Sequence, residues 1–240
     1  MDSFLYRQDP PLTGPYKWGI IDGAYGNQQS LQERNIKNIE SLIIEGLHSH
    51  RKLVFPLPVK GRGLEFLALL EERLIGELRR RNKGEVDSLT IYVDKSLLKE
   101  MQRGKYRFPW FHEKGRKRME NLLKSGKDMR ILDETAIERI ANVNEQGMLI
   151  LLGDSKMEGE KSRGLYNSLE PRDRVVFTGN PGKNTFGEHL LNEKNLQEDA
   201  PKCILQQYNV HLTQNQGLKL GQALNIKDPI LFHHPSLTRE

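Results

Sequence analysis

Arg51-Lys52-Leu53-Val54-Phe55-Pro56-Leu57-Pro58-Val59-Lys60-Gly61-Arg62-Gly63-Leu64-Glu65-Phe66 is the stretch on which the fold turns. Arg51 to Pro56 reads as a short buried strand, with apolar residues in sequence rather than in alternation. Two glycines then open a turn. From about Gly63 to Arg81 the residues Leu64, Leu67, Leu70, Leu74 and Leu78 line one helical face. The helix closes on Arg79-Arg80-Arg81-Asn82-Lys83-Gly84, where cations suit the C-terminal end of the dipole and glycine suits the cap.

The same alternation extends in both directions. Upstream, Trp18 to Asp22 reads as a strand, and Leu31, Ile36, Ile39, Leu42, Ile43 and Leu47 recur at helical spacing between Gln29 and Gly46. Downstream, strands are expected at 88–93, 148–152, 174–178, 202–208 and 229–232, with helices over 95–103 and 111–125. Strands alternating with helices predict an α/β fold, a largely parallel sheet flanked by helices. There is no internal repeat and no low-complexity tract.

The bulk properties bound the function. The chain has 240 residues and is 36% apolar, enough for a real core. Its mean hydropathy of −0.66 describes a very polar surface. A net charge of +5 permits a polyanionic partner, and equally a plain solvated basic surface. The one cysteine, Cys203, excludes an internal disulfide framework. Met1-Asp2-Ser3-Phe4 does not open like a signal peptide, and no apolar run is long enough to span a bilayer. A cytoplasmic protein without a membrane segment is expected.

Three glycine-rich turns follow strands: Pro56 to Phe66, Gly153-Asp154-Ser155-Lys156-Met157-Glu158-Gly159, and Gly179-Asn180-Pro181-Gly182-Lys183-Asn184-Thr185-Phe186-Gly187. Such turns let a backbone approach a phosphate, with Lys60, Arg62 and Lys183 adding charge and Thr185 capping a helix. They also read as ordinary strand–helix turns with incidental charge. In a parallel sheet they would gather on one edge, where ligands bind. Lys114-Gly115-Arg116-Lys117-Arg118, close to Tyr106, Phe108, Trp110 and Phe111, reads as a stacking and phosphate-contacting patch or as a solvated helix face.

Ile20-Ile21-Asp22-Gly23-Ala24-Tyr25-Gly26 delivers a carboxylate to a tight turn at a strand end. His48 and His50 read as a solvated helix end, and His112 and His189 as surface residues. His211 and His233 each close a β-like run, where a histidine can bind a metal or move a proton.

Taken in order, these segments resemble the β-CASP branch of the metallo-β-lactamase superfamily, a group of RNA-processing nucleases. Asp22-Gly23-Ala24-Tyr25-Gly26 is similar to the motif A of that family, an acid followed by Ser-Thr-Tyr-Gly. Gly61-Arg62-Gly63-Leu64-Glu65 is similar to its Gly-Arg-x-x-Glu segment. The stretches Gly153 to Ser162 and Thr178 to Gly187 resemble its two later glycine loops. His211 falls where motif B has its histidine, and His233 where motif C has one.

The resemblance implies a zinc-dependent phosphodiesterase acting on RNA. It implies Asp22 and His211 as catalytic residues, with His211 the general acid and Asp22 its orienting partner. It implies Asp2 and His233 as metal ligands, and Lys60, Arg62, Lys183 and Thr185 as nucleic-acid contacts. The domains implied are 1–26, the end of a metallo-β-lactamase-like half; 27–200, the β-CASP domain; and 201–240, a returning metallo-β-lactamase-like segment. The departures are also legible. His-x-His-x-Asp-His does not occur in the 240 residues, motif B has Thr213 in place of an aspartate, and motif C reads His233-His234-Pro235. The expectation is therefore terminal strands of an incomplete metallo-β-lactamase domain, inactive without an N-terminal half on a separate chain. A homodimer, a non-catalytic RNA-binding or scaffold subunit, and a truncated product without a role of its own are the alternatives.

Overall fold

The computed structural model describes residues 14–22, 32–75, 90–104, 111–124, 129–143, 147–192, 198–211 and 213–232. Asp2, Gly23 to Gly26, Arg79 to Gly84, Tyr106, Phe108, Trp110, His233 and His234 lie outside the described residues.

The chain runs β1 (Tyr16–Asp22), α1 (Gln32–His48), β2 (Lys52–Pro56), α2 (Arg62–Leu70), β3 (Thr90–Asp94), α3 (Lys95–Gly104), α4 (Glu113–Lys124) and β4 (Met129–Leu132). It continues through α5 (Glu134–Asn142), β5 (Met148–Leu152), α6 (Glu160–Asn167), β6 (Arg174–Phe177), α7 (Phe186–Asn192), β7 (Lys202–Leu205), α8 (Gln214–Ala223) and β8 (Ile226–Phe232). The fold is α/β with parallel strands and flanking helices, as the alternation predicts. The described residues fall into two compact units. The larger spans Glu33–Tyr208; the smaller holds the segment up to Gln32 and the segment from Asn209 onward.

In the larger unit six strands form one sheet in the order β4-β3-β5-β2-β6-β7, every pair parallel. A parallel sheet carries helices on both faces, so its inner strands are apolar on both sides. Every residue of β2, β3 and β5 is accordingly buried. Successive side chains alternate between faces. Phe55 stacks on Phe66 of α2 with ring centroids 5.0 Å apart, and Phe66 meets Tyr208 edge-on at 5.9 Å. Val54, its neighbour, joins the opposite core with Ile150, Leu152, Val175, Phe177, Ile140 of α5, Leu165 of α6 and Leu190 of α7. β2 is fixed at its start by Asp173, a fully buried carboxylate that accepts the backbone N–H of Lys52 at 2.8 Å and of Glu170 at 2.9 Å.

Several elements differ from expectation. β4, α5, α6 and α8 are short and lie where no element is expected from the sequence. The strand expected to reach Tyr208 ends at Leu205, although the N–H groups of Gln206 and Tyr208 still donate to the carbonyls of Phe177 and Thr178. The helix after β2 is regular only to Leu70 and widens into a π-helical turn at Glu71–Ile75. In that turn Glu72 pairs with Arg118, and Arg73 pairs with Glu33. Cys203 is buried in β7, and burial pushes its thiol up to about 12.

In the smaller unit β1 and β8 pair in parallel, from Tyr16 opposite Ile226 to Asp22 opposite Phe232. α8 starts with a reciprocal cap: Thr213 accepts from the N–H of Gln216, whose side chain accepts from the N–H of Thr213. It packs on both strands, with Gly221 against Ile21 and Pro229. Trp18, Ile20, Ile230 and Phe232 are each more than half exposed, at 63, 65, 54 and 63%, so this ribbon carries a run of uncovered apolar side chains. No helix among the described residues is long and apolar enough to cross a membrane.

Phe66 joins the sheet to α2 and Tyr208, with no exposed surface. Phe66→Ala is expected to lower unfolding free energy by about 3–5 kcal/mol, read from the urea midpoint at unchanged slope.

Candidate functional site

Because every strand of the large sheet runs the same way, all their carboxyl ends meet at one edge. β2 lies between β5 and β6. The chain leaves β2 through α2 toward β3, and leaves β5 through α6 over β2 toward β6. With right-handed crossovers these connections depart to opposite faces and open a crevice at the carboxyl end of β2. The three glycine-rich turns surround it.

The turns hold one another closely. The guanidinium of Arg62 lies directly on Gly179; a methyl group added there would stand 1.8 Å from Nη1. Gly63, in the first turn of α2, sits under the Pro58 carbonyl oxygen, 1.9 Å from where its Cβ would be. The N–H of Gly187 donates to the carbonyl of Lys156 at 2.8 Å, which ties the third turn to the second. Inside the second turn the Asp154 carboxylate accepts from Ser162 Oγ at 2.6 Å and from the N–H of Gly159 at 2.9 Å. Thr185 caps α7 as expected: its Oγ1 accepts from the N–H of Glu188 at 3.2 Å and donates to the Gly182 carbonyl at 2.9 Å. Lys60, Lys156 and Lys183 are exposed around this edge, and Arg62 is half-buried.

A second feature was not read from the sequence. β3 ends in Asp94, a buried carboxylate that bonds Lys161 Nζ of α6 and accepts the N–H and hydroxyl of Ser96 at 2.8 and 2.7 Å. Both Asp94 and Ser96 lie against Gly153. Burial pushes the Asp94 carboxyl up, but the bonds from Lys161 and Ser96 outweigh it and hold the group below the ordinary carboxylate value. The only sequence trace of this clamp is an acid closing an apolar strand, since Lys161 is remote along the chain.

In the smaller unit Asp22 closes β1 directly opposite Phe232, the residue before His233. His211 belongs to the same unit, in the segment leading into α8. That segment is pinned at Asn209, whose backbone exchanges two hydrogen bonds with the Gln32 side-chain amide, at 3.0 and 3.1 Å. Among the described residues no group of three or more His, Cys, Asp or Glu side chains gathers in a way that could hold a metal ion. The ligands implied for zinc, Asp2 and His233, lie outside the described residues. No family model matches the chain, and no curated protein matches it.

The lowered Asp94 value has a sign. The ionised clamp stabilises the fold above the unfolded carboxylate value of about 4 and is lost as pH falls through the lower folded value. Asp94→Asn is expected to cost about 1–3 kcal/mol at neutral pH. The gap to the parent protein should narrow in urea melts repeated below pH 4. Equal gaps at both pH values would contradict the assignment.

Proposed function

We propose that the chain is the β-CASP-like part of a metal-dependent phosphodiesterase acting on RNA, completed by residues outside these 240. The observation that carries this reading is the seating of Arg62 on Gly179. Gly61-Arg62-Gly63 and Thr178 to Gly187 resemble separate motifs of that family, and they meet at a crevice rimmed by Lys60, Lys156 and Lys183. Backbone turns and cations at the carboxyl edge of a parallel sheet suit a phosphodiester backbone.

On this reading His211 holds the proton for the departing oxygen and Asp22 orients it. Zinc supplies activation of the attacking water when bound. Asp2 and His233 would hold part of it; three or four protein ligands are usual, so the remainder would come from outside these 240 residues. The open ribbon of β1 and β8 supports the need for a partner. Parallel strands are normally covered on both faces, and Trp18, Ile20, Ile230 and Phe232 are not. The same ribbon favours a second reading, in which the chain is a non-catalytic RNA-binding subunit.

Both readings require RNA binding, and cleavage separates them. Fluorescence anisotropy of a labelled single-stranded RNA should show affinity falling steeply with salt. Lys60→Gln and Arg62→Gln should each lower the log–log salt slope by about 0.7. Gly179→Ala should reproduce the Arg62→Gln loss by displacing the guanidinium while leaving the thermal midpoint near that of the parent. A flat salt response would sink RNA binding. Zinc-dependent cleavage that appears only with a partner bearing His-x-His-x-Asp-His, and disappears in His211→Ala, separates the enzyme from the binding subunit.

A further inference from the structure

Outside the crevice, an open groove of about 370 Å³ runs along α6 and α7, lined by Arg163, Asn184, Thr185, Phe186, Glu188 and His189. Its side chains are arranged in planes. The Arg163 guanidinium lies over the Phe186 ring, 4.5 Å from the centroid, and His189 lies within 25° of parallel to that ring, at 6.3 Å. Tyr166 meets Phe186 edge-on at 5.8 Å and fixes the row from the core side. Phe186 is half-buried, while Arg163 and His189 are exposed. The exposed members of the group are thus a guanidinium and an imidazole, two groups on which a nucleobase can stack.

We propose that this groove is a stacking site for one unpaired base of single-stranded RNA, an inference that rests on the RNA-binding reading above. The layered row supplies a flat platform whose last planes are cationic or polar, which suits a base with its phosphate nearby. Glu188 adds an acceptor on the wall; its carboxylate already receives the N–H of Asn184 at 2.6 Å, which holds it in place. The turn that carries Phe186 is the one whose first residue, Gly179, meets Arg62. A strand lying in the crevice therefore passes from a phosphate-facing segment to a base-facing one along a single loop.

The test compares a labelled single-stranded RNA with the same RNA carrying abasic positions, bound to the full chain and to three variants. Phe186→Leu and His189→Ala are expected to weaken binding of the intact RNA by roughly five- to a hundredfold without changing the salt slope. Arg163→Ala should weaken binding and lower the slope by about 0.7. The abasic RNA should bind the parent, Phe186→Leu and His189→Ala alike, and Arg163→Ala more weakly through the lost phosphate contact. His189 is exposed, so its variant reports even where Phe186→Leu disturbs folding. If the parent binds abasic and intact RNA equally, or His189→Ala binds as the parent does, the stacking site is overturned while RNA binding stands. If the parent binds neither RNA, both readings fall together.

Discussion

The double burial of the central strands is the constraint from which the rest of this structure follows. Between their ends β2, β3 and β5 have no face on which to put a charged group, so those side chains are spent on packing. Val54 and Phe55 serve two separate cores one residue apart. Polar chemistry is displaced to where each strand ends. Asp94, Asp154 and Thr178 stand at or just beyond the carboxyl ends of β3, β5 and β6. The amino ends are tied instead by Asp173, whose carboxylate does for β2 what a further backbone partner would.

The crowded edge is a packing problem with three parts, and glycine solves each by the same means. Pro58 folds back over the start of α2, Arg62 lies across the loop after β6, and Ser96 lies over the loop after β5. In each case a neighbour occupies the volume a Cβ would need. Carbonyls, a guanidinium and a carboxylate can therefore approach backbones in the sheet's own layer. The arrangement is dense in hydrogen bonds before any ligand arrives, which is what a preorganised polar site requires.

Much of the fold was legible in the chain. The unbroken apolar runs of β2 and β5 read as buried strands, with glycine turns following them, and both are inner strands. β4 was invisible because it lies at the sheet's margin: Met129, Arg130 and Ile131 are partly or fully exposed, and only Leu132 is buried. α6 and α8 were missed because short polar helices with internal glycines carry little periodicity. The candidate site was legible as loops and illegible as contacts. No spacing announces that Lys161 bonds Asp94, or that Arg163, Phe186 and His189 stack, because each depends on how α6 and α7 settle on the sheet. His189, read as a surface residue, is indeed exposed, yet it is also one plane of that stack.

The pairing of β1 with β8 has a consequence for the order of folding. The two strands lie at opposite ends of the sequence, yet they run side by side, and the Gln32 amide fastens Asn209 where the chain leaves and re-enters the smaller unit. Closing so long a loop from a disordered chain is entropically costly, and the cost shrinks once the intervening residues have condensed. A ribbon whose strands are this far apart in sequence is expected to pair after the six-stranded unit has condensed.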